Sequence, residues 1–169
     1  MKKKFNTLIF FCLLTAIINA QKKPNVIIIY TDDQATLDVN ILGAKDLVSP
    51  NMDKLMLSGT TFTQFYASPV CSPSRASLLT GKNPQRAGVP GNAGQDLSRT
   101  SGLPPSEYTM AEMFKDNGYA TYLIGKWHLG YQPEMRPNQQ GFDYSFGHLV
   151  GCIDNYSHFY YWGGDNNYA

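Results

Sequence analysis

Val26-Ile27-Ile28-Ile29-Tyr30 is an unbroken β-branched and aromatic run, with Pro24 before it and Thr31-Asp32-Asp33 after it. A strand apolar on both faces of its pleat belongs in a sheet covered on both sides, the arrangement of parallel α/β folds. The remaining punctuation agrees. Ser49-Pro50 reads as a helix start, with Ser as cap and Pro at the first helical position, and Gly59 as the stop. Leu55, Met56 and Met52 form its apolar side. Thr60 to Tyr66 alternates and is β-rich, which predicts a second strand. Residues 82–107 carry many Gly, Pro, Asn and Ser residues and read as a long surface loop. Thr109 to Asn117 predicts a helix whose capping box is Thr109 with Glu112 and whose terminator is Gly118. Tyr119 to Ile124 and Phe142 to Phe146 complete four expected strands. Strands alternating with helices imply an α/β fold, a mostly parallel sheet with flanking helices. Functional groups in such folds gather after the strand carboxyl ends, where Asp32, Asp33, Lys126 and His128 fall.

Cys71-Ser72-Pro73-Ser74-Arg75 carries the strongest chemical signal. Pro73 suits a first helical position, Ser72 its cap, and Gly81 the end of a short helix. Cys71 then lies at the mouth of that helix, where unsatisfied N–H groups favour an anion. Arg75 adds a planar fork that matches a tetrahedral oxyanion. Cysteine counting supplies the competing reading, because Cys71 and Cys152 are the two cysteines beyond residue 20 and a disulfide would pair them. Asp32 and Asp33 are adjacent carboxylates whose repulsion a hard divalent cation relieves, although an Asp after a strand also caps turns. Lys126 and His128, two apart, point the same way if the segment is extended; a solvated lysine and a structural histidine are the ordinary alternative.

The register of Cys71, Pro73 and Arg75, followed by Leu79-Thr80-Gly81, resembles the C-x-P-x-R motif of the type I, formylglycine-dependent sulfatases of the alkaline phosphatase superfamily. Gly125-Lys126-Trp127-His128-Leu129-Gly130 resembles that family's second signature. The resemblance implies an alkaline-phosphatase-like core in which Cys71 is oxidised to formylglycine by the formylglycine-generating enzyme. It assigns Asp32, Asp33 and the oxidised Cys71 as ligands of Ca²⁺. Arg75 belongs to the catalytic motif, Lys126 holds the sulfate and the aldehyde-derived oxygen, and His128 is the base that collapses the sulfated intermediate. A hydrated aldehyde attacks sulfur, and its second hydroxyl later expels sulfate. A looser likeness, from Gly141-Phe142-Asp143 through Gly147-His148 to His158, is to arylsulfatase B-like and N-acetylgalactosamine sulfatases, with Asn155 where their pattern has tyrosine. It implies sulfated glycan or aryl sulfate substrates, with aromatic residues stacking on sugar rings and His148 or His158 near substrate.

Residues 1–20 resemble a secretory signal: Lys2, Lys3 and Lys4, then an apolar stretch from Leu8 to Ile18, then Ala20. The stretch is short for a bilayer span, so the expectation is an exported protein, periplasmic or secreted, with no membrane attachment after cleavage. The formal charge is +1, and losing three lysines leaves 11 basic against 13 acidic residues, which argues against general nucleic-acid or anionic-membrane binding. Ca²⁺ takes about six to eight oxygens, more than Asp32, Asp33 and Cys71 supply. The resemblance implies that the family draws its further ligands from sequence beyond this point, and it covers only the family's N-terminal part. Residues 21–169 therefore read as the N-terminal part of a sulfatase catalytic domain, expected to bind metal weakly and turn over little. The alternatives are a phosphate or phosphonate monoester hydrolase of the same superfamily and a catalytically dead glycan-binding fragment.

Overall fold

The computed structural model describes residues 23–94 and 101–157. The expected leader at residues 1–20 and the candidate His158 lie outside them. The chain divides into two compact units, Met1–Asp53 and Lys54–Ala169.

In the first unit the run from Val26 to Tyr30 takes no regular structure and is exposed, Ile27 at 84% and Ile29 at 75%. This corrects the expectation of a buried strand. A β-branched run states a preference for burial, but a strand exists only where a neighbour takes its N–H and C=O groups. The described part of this unit forms instead two 3₁₀ turns, Thr36–Asp38 and Asn40–Leu42. A polar network holds them: Ser49 N–H donates to Asn40 Oδ1 at 2.8 Å, and Asn40 N–H donates back to Ser49 Oγ at 2.8 Å. Ser49 Oγ also reaches Asp53 Oδ1 at 3.0 Å. The expected helix forms over Pro50–Ser58, with Met52 and Met56 half-buried and Leu55 exposed.

The second unit contains the hydrophobic core. Thr60 to Tyr66 is not a strand but an exposed turn-containing segment in which the Phe62 and Phe65 rings stand 6.2 Å apart. The cysteine motif opens a helix, Cys71–Thr80, which Gly81 ends at φ 65°. The helix begins two residues earlier than expected, so Val70 is the cap residue and Pro73 the third helical residue. Proline is tolerated there because the first four helical N–H groups have no intrahelical acceptor. A third helix, Met110–Asp116, carries the expected Thr109–Glu112 capping box.

Two parallel strands, β1 (Tyr122–Lys126) and β2 (Tyr144–His148), pair from Tyr122 opposite Tyr144 to Lys126 opposite His148. The pairing bears out the parallel α/β expectation, with β2 shifted two residues later than read from the pattern and β1 starting three and ending two residues later. On one side Leu123 packs against a core that includes Leu79, Leu103, Trp127, Leu129 and Phe142. Residues 82–107 are not merely surface loop, because Ala87 and Leu103 are fully buried and Val89 nearly so. Gly141 lets the chain pass the start of the third helix: at φ 94°, a Cβ there would lie 2.4 Å from the Glu112 nitrogen.

Thr109 links these pieces. Its hydroxyl accepts from Glu112 N–H at 3.2 Å and donates to the Gln140 carbonyl at 2.9 Å, with the residue 1% exposed. Thr109→Ala removes the cap and leaves a buried carbonyl unpaired. It should lower unfolding free energy by about 1–3 kcal/mol in urea titrations, and Thr109→Ser should recover most of that loss.

Asp143 gives the same region an acid dependence. Its carboxylate pairs with Lys115 at 2.8 Å and accepts from Thr121 N–H at 3.0 Å, and these bonds hold its pKa below the ordinary carboxylate value. A lowered folded pKa means stability present above the unfolded pKa and lost as pH falls through the folded one. Asp143→Asn should therefore flatten the acid limb of the Tm–pH curve, while leaving the neutral limb parallel to wild type.

Candidate active site

Cys71 is the first residue of its helix and is half-buried. No disulfide joins it to Cys152, which is also half-buried. Val70 offers no side chain to cap the helix. Asn92 does this from the loop instead, its Oδ1 accepting from Ser72 N–H at 3.2 Å. Ser72 is therefore not the cap expected from its position. Its hydroxyl, fully buried, donates to the His128 carbonyl at 2.6 Å and accepts from Ala93 N–H at 3.0 Å.

Arg75, one turn along the helix, reaches the end of β1. Its Nη1 donates to the Lys126 carbonyl at 2.6 Å. The guanidinium expected to face an anion thus has at least one donor committed to backbone. Lys126 closes β1 opposite His148 and is half-buried. Trp127 N–H continues the ladder to the His148 carbonyl at 2.9 Å, and His128 N–H to the Leu149 carbonyl at 3.2 Å.

His128 departs from expectation. The segment is not extended at this residue: φ is 55°, in the left-handed region, and the residue is buried at 3% exposure. The simple alternation that would aim Lys126 and His128 alike ends there. A non-glycine residue holds that conformation only when its surroundings over-determine it. The Leu149 carbonyl on one side and the Ser72 hydroxyl on the other do so.

The second unit therefore brings Cys71, Arg75, Lys126 and His128 together through bonds from the cysteine helix to the last residue of β1 and the turn that follows it. Asp32 and Asp33 belong to the first unit, where both are exposed and Asp33 has φ 52°. Two adjacent carboxylates on a turn are hard oxygen donors, chemically suited to a hard divalent cation. Sequence reasoning missed Asn92 and the real partner of Ser72. Asn92 sits twenty residues along, in a loop with no periodic pattern, so local spacing carries no sign of it.

Comparison with known proteins decides the family. The Sulfatase family profile matches residues 24–168. Human arylsulfatase G is 43% identical over 144 residues, spanning 81% of this chain and 27% of that protein. This chain belongs to the sulfatase family. Pig N-acetylgalactosamine-6-sulfatase is 38% identical over 138 residues, covering 78% of this chain and 26% of the relative. Among solved structures, Ps i-CgsB superposes with a TM-score of 0.74 at 39% identity, over 79% of this chain and 30% of that one. A second structure of Ps i-CgsB, in complex with k-i-k-neocarrahexaose, gives 0.69 at 37% identity, over 73% and 27%. The sulfatase chain spans about a quarter of the length of the curated relatives it matches.

Ser72→Ala should leave the His128 carbonyl and the Ala93 N–H without their shared partner. We expect a loss of about 1–3 kcal/mol by urea unfolding, and faster amide hydrogen exchange at Ala93 than in wild type.

Proposed function

We propose that this chain is the N-terminal part of the catalytic domain of an exported sulfuric ester hydrolase, acting on sulfated glycans or aryl sulfates. The observation that carries the reading is the cysteine motif: its helix is tied by Ser72 and Arg75 to the backbone of His128 and Lys126, so two sulfatase signatures meet in one unit. The names of relatives support the substrate class, since they include an arylsulfatase and an N-acetylgalactosamine-6-sulfatase. A neighbouring structure in complex with a neocarrahexaose adds support for a carbohydrate substrate. The leader-like residues 1–20 support export to the periplasm or beyond.

Cys71 is the nucleophile position. Oxidised by the formylglycine-generating enzyme, it supplies a hydrated aldehyde: one hydroxyl attacks sulfur as the ester S–O bond breaks and the alcohol leaves, and the other hydroxyl then gives up its proton so that sulfate departs and the aldehyde re-forms. Its half-burial, the absence of a bridge to Cys152 and its place at a helix N-terminus fit that chemistry. By the family resemblance, Asp32 and Asp33, with Cys71 after oxidation, would hold a Ca²⁺. Such a cation would lower the pKa of the attacking hydroxyl and orient the sulfate. Lys126 contributes positive charge to the sulfate oxygens, and Arg75 braces Lys126 by holding its carbonyl. His128 takes the proton whose departure releases sulfate, and burial shields its ring from bulk water.

Three measurements bear on this. The Cys71 peptide from a host with the maturation enzyme should show conversion of the thiol to an aldehyde by mass spectrometry; an intact thiol or a bridge to Cys152 would count against the reading. In the active enzyme, Cys71→Ser should release one equivalent of alcohol and stall, because a serine lacks the second hydroxyl. Steady multiple turnover by that variant would sink the mechanism. Matched sulfate and phosphate monoesters of one alcohol should favour the sulfate in kcat/KM, and the opposite preference would transfer the chain to phosphate ester chemistry.

A further inference from the structure

Gly151 lies directly against the imidazole of His128. A Cβ on Gly151 would fall 2.7 Å from Cε1, 2.8 Å from Nε2 and 3.3 Å from Nδ1 of that ring. The first two separations are shorter than carbon tolerates, so any side chain at 151 must displace either the ring or the segment carrying it.

Neither yields easily. The His128 backbone is in the left-handed region and is bonded on both sides, N–H to the Leu149 carbonyl and carbonyl from the Ser72 hydroxyl. The segment around Gly151 is held as well. Val150 is 1% exposed, and its carbonyl meets His148 Nδ1 at 2.9 Å. Gly151 itself has no positive φ, in contrast to Gly141 or Gly147, so its backbone would accept an L residue. The glycine answers to the ring beside it rather than to its own conformation.

We propose that Gly151 is a positioning residue for His128: its missing side chain is the slot that fixes the orientation of the imidazole. The inference rests on the reading of His128 as the base and adds what sets that base in place. A one-carbon enlargement at 151 would turn the ring away from the reacting group without removing any group that takes part in the chemistry. Displacements of about 1 Å at such a group cost on the order of 100-fold in rate.

The chain labelled at its histidines and glycines tests this by NMR. Wild type should show a nuclear Overhauser contact between the Gly151 α-protons and the His128 ring protons. Its absence overturns the proposal without any variant, so a failure of Gly151→Ala to fold would not protect the idea. Gly151→Ala should move the His128 ring resonances and leave those of His148 in place. Gly91→Ala, at a position with no atom within 4 Å of the added carbon, should move neither. In the active enzyme, Gly151→Ala should lower kcat by about 100-fold with KM little changed. Unmoved ring resonances with wild-type kcat in Gly151→Ala would overturn the proposal. His128→Ala with undiminished kcat would instead remove the base assignment and leave the ring contact standing, which keeps the two failures apart.

Discussion

The hydroxyl of Ser72 joins three stretches that are far apart in sequence: the first turn of the cysteine helix, the loop at Asn92 and Ala93, and the turn after β1 that carries His128. A single hydrogen bond of this kind is worth only about 1 kcal/mol net, but leaving its buried partners unmade costs more than making it gains. That asymmetry selects one arrangement over near alternatives. Arg75, bonded to the Lys126 carbonyl, repeats the connection two residues earlier in the same strand extension. Two side chains from one helical turn thus grip two carbonyls of one backbone segment, and the relation of Cys71 to that segment follows from hydrogen-bond geometry.

This division of labour explains what could be read from the sequence. The motif positions were legible because their chemistry is local: a thiol at a helix mouth, an arginine one turn on, a lysine and a histidine after a strand. Their partners were not. Arg75 reads as an anion fork from its position, yet it spends a donor on a carbonyl 51 residues away in sequence. Ser72 stands where a cap is expected, but the helix starts earlier and the cap comes from Asn92. Capping within a helix leaves a spacing rule; capping from a distant loop leaves none. The Thr109–Glu112 box, wholly local, was read correctly.

Strands divide along the same line. The segments ending in Lys126 and His148 pair with each other, and their pattern identifies them to within three residues. The run at Val26 and the alternation at Thr60 have equally good patterns but no regular structure. Alternation and β-branching describe how a side chain would fit a sheet, while strand formation requires a second backbone at about 4.8 Å. Sequence therefore reports the demand for a partner more faithfully than the partner's presence.

The same demand shows which face of the pair sustains the site. Tyr122, Ile124, Tyr144 and Phe146 alternate onto one face of β1 and β2 and are at least half exposed, so little of the pair's stability comes from that side. An isolated two-stranded sheet is marginal in water. The inner side must hold it, and Trp127 is the anchor. It is 2% exposed, donates Nε1–H to the Met135 carbonyl at 3.0 Å, and meets Phe142 edge-on at 6.1 Å. Because Trp127 stands between Lys126 and His128, sinking its indole into the core fixes the backbone from which both neighbours project. A core anchor and the two side chains proposed to react are therefore consecutive residues, and packing under the candidate site becomes a condition of the chemistry proposed on top of it.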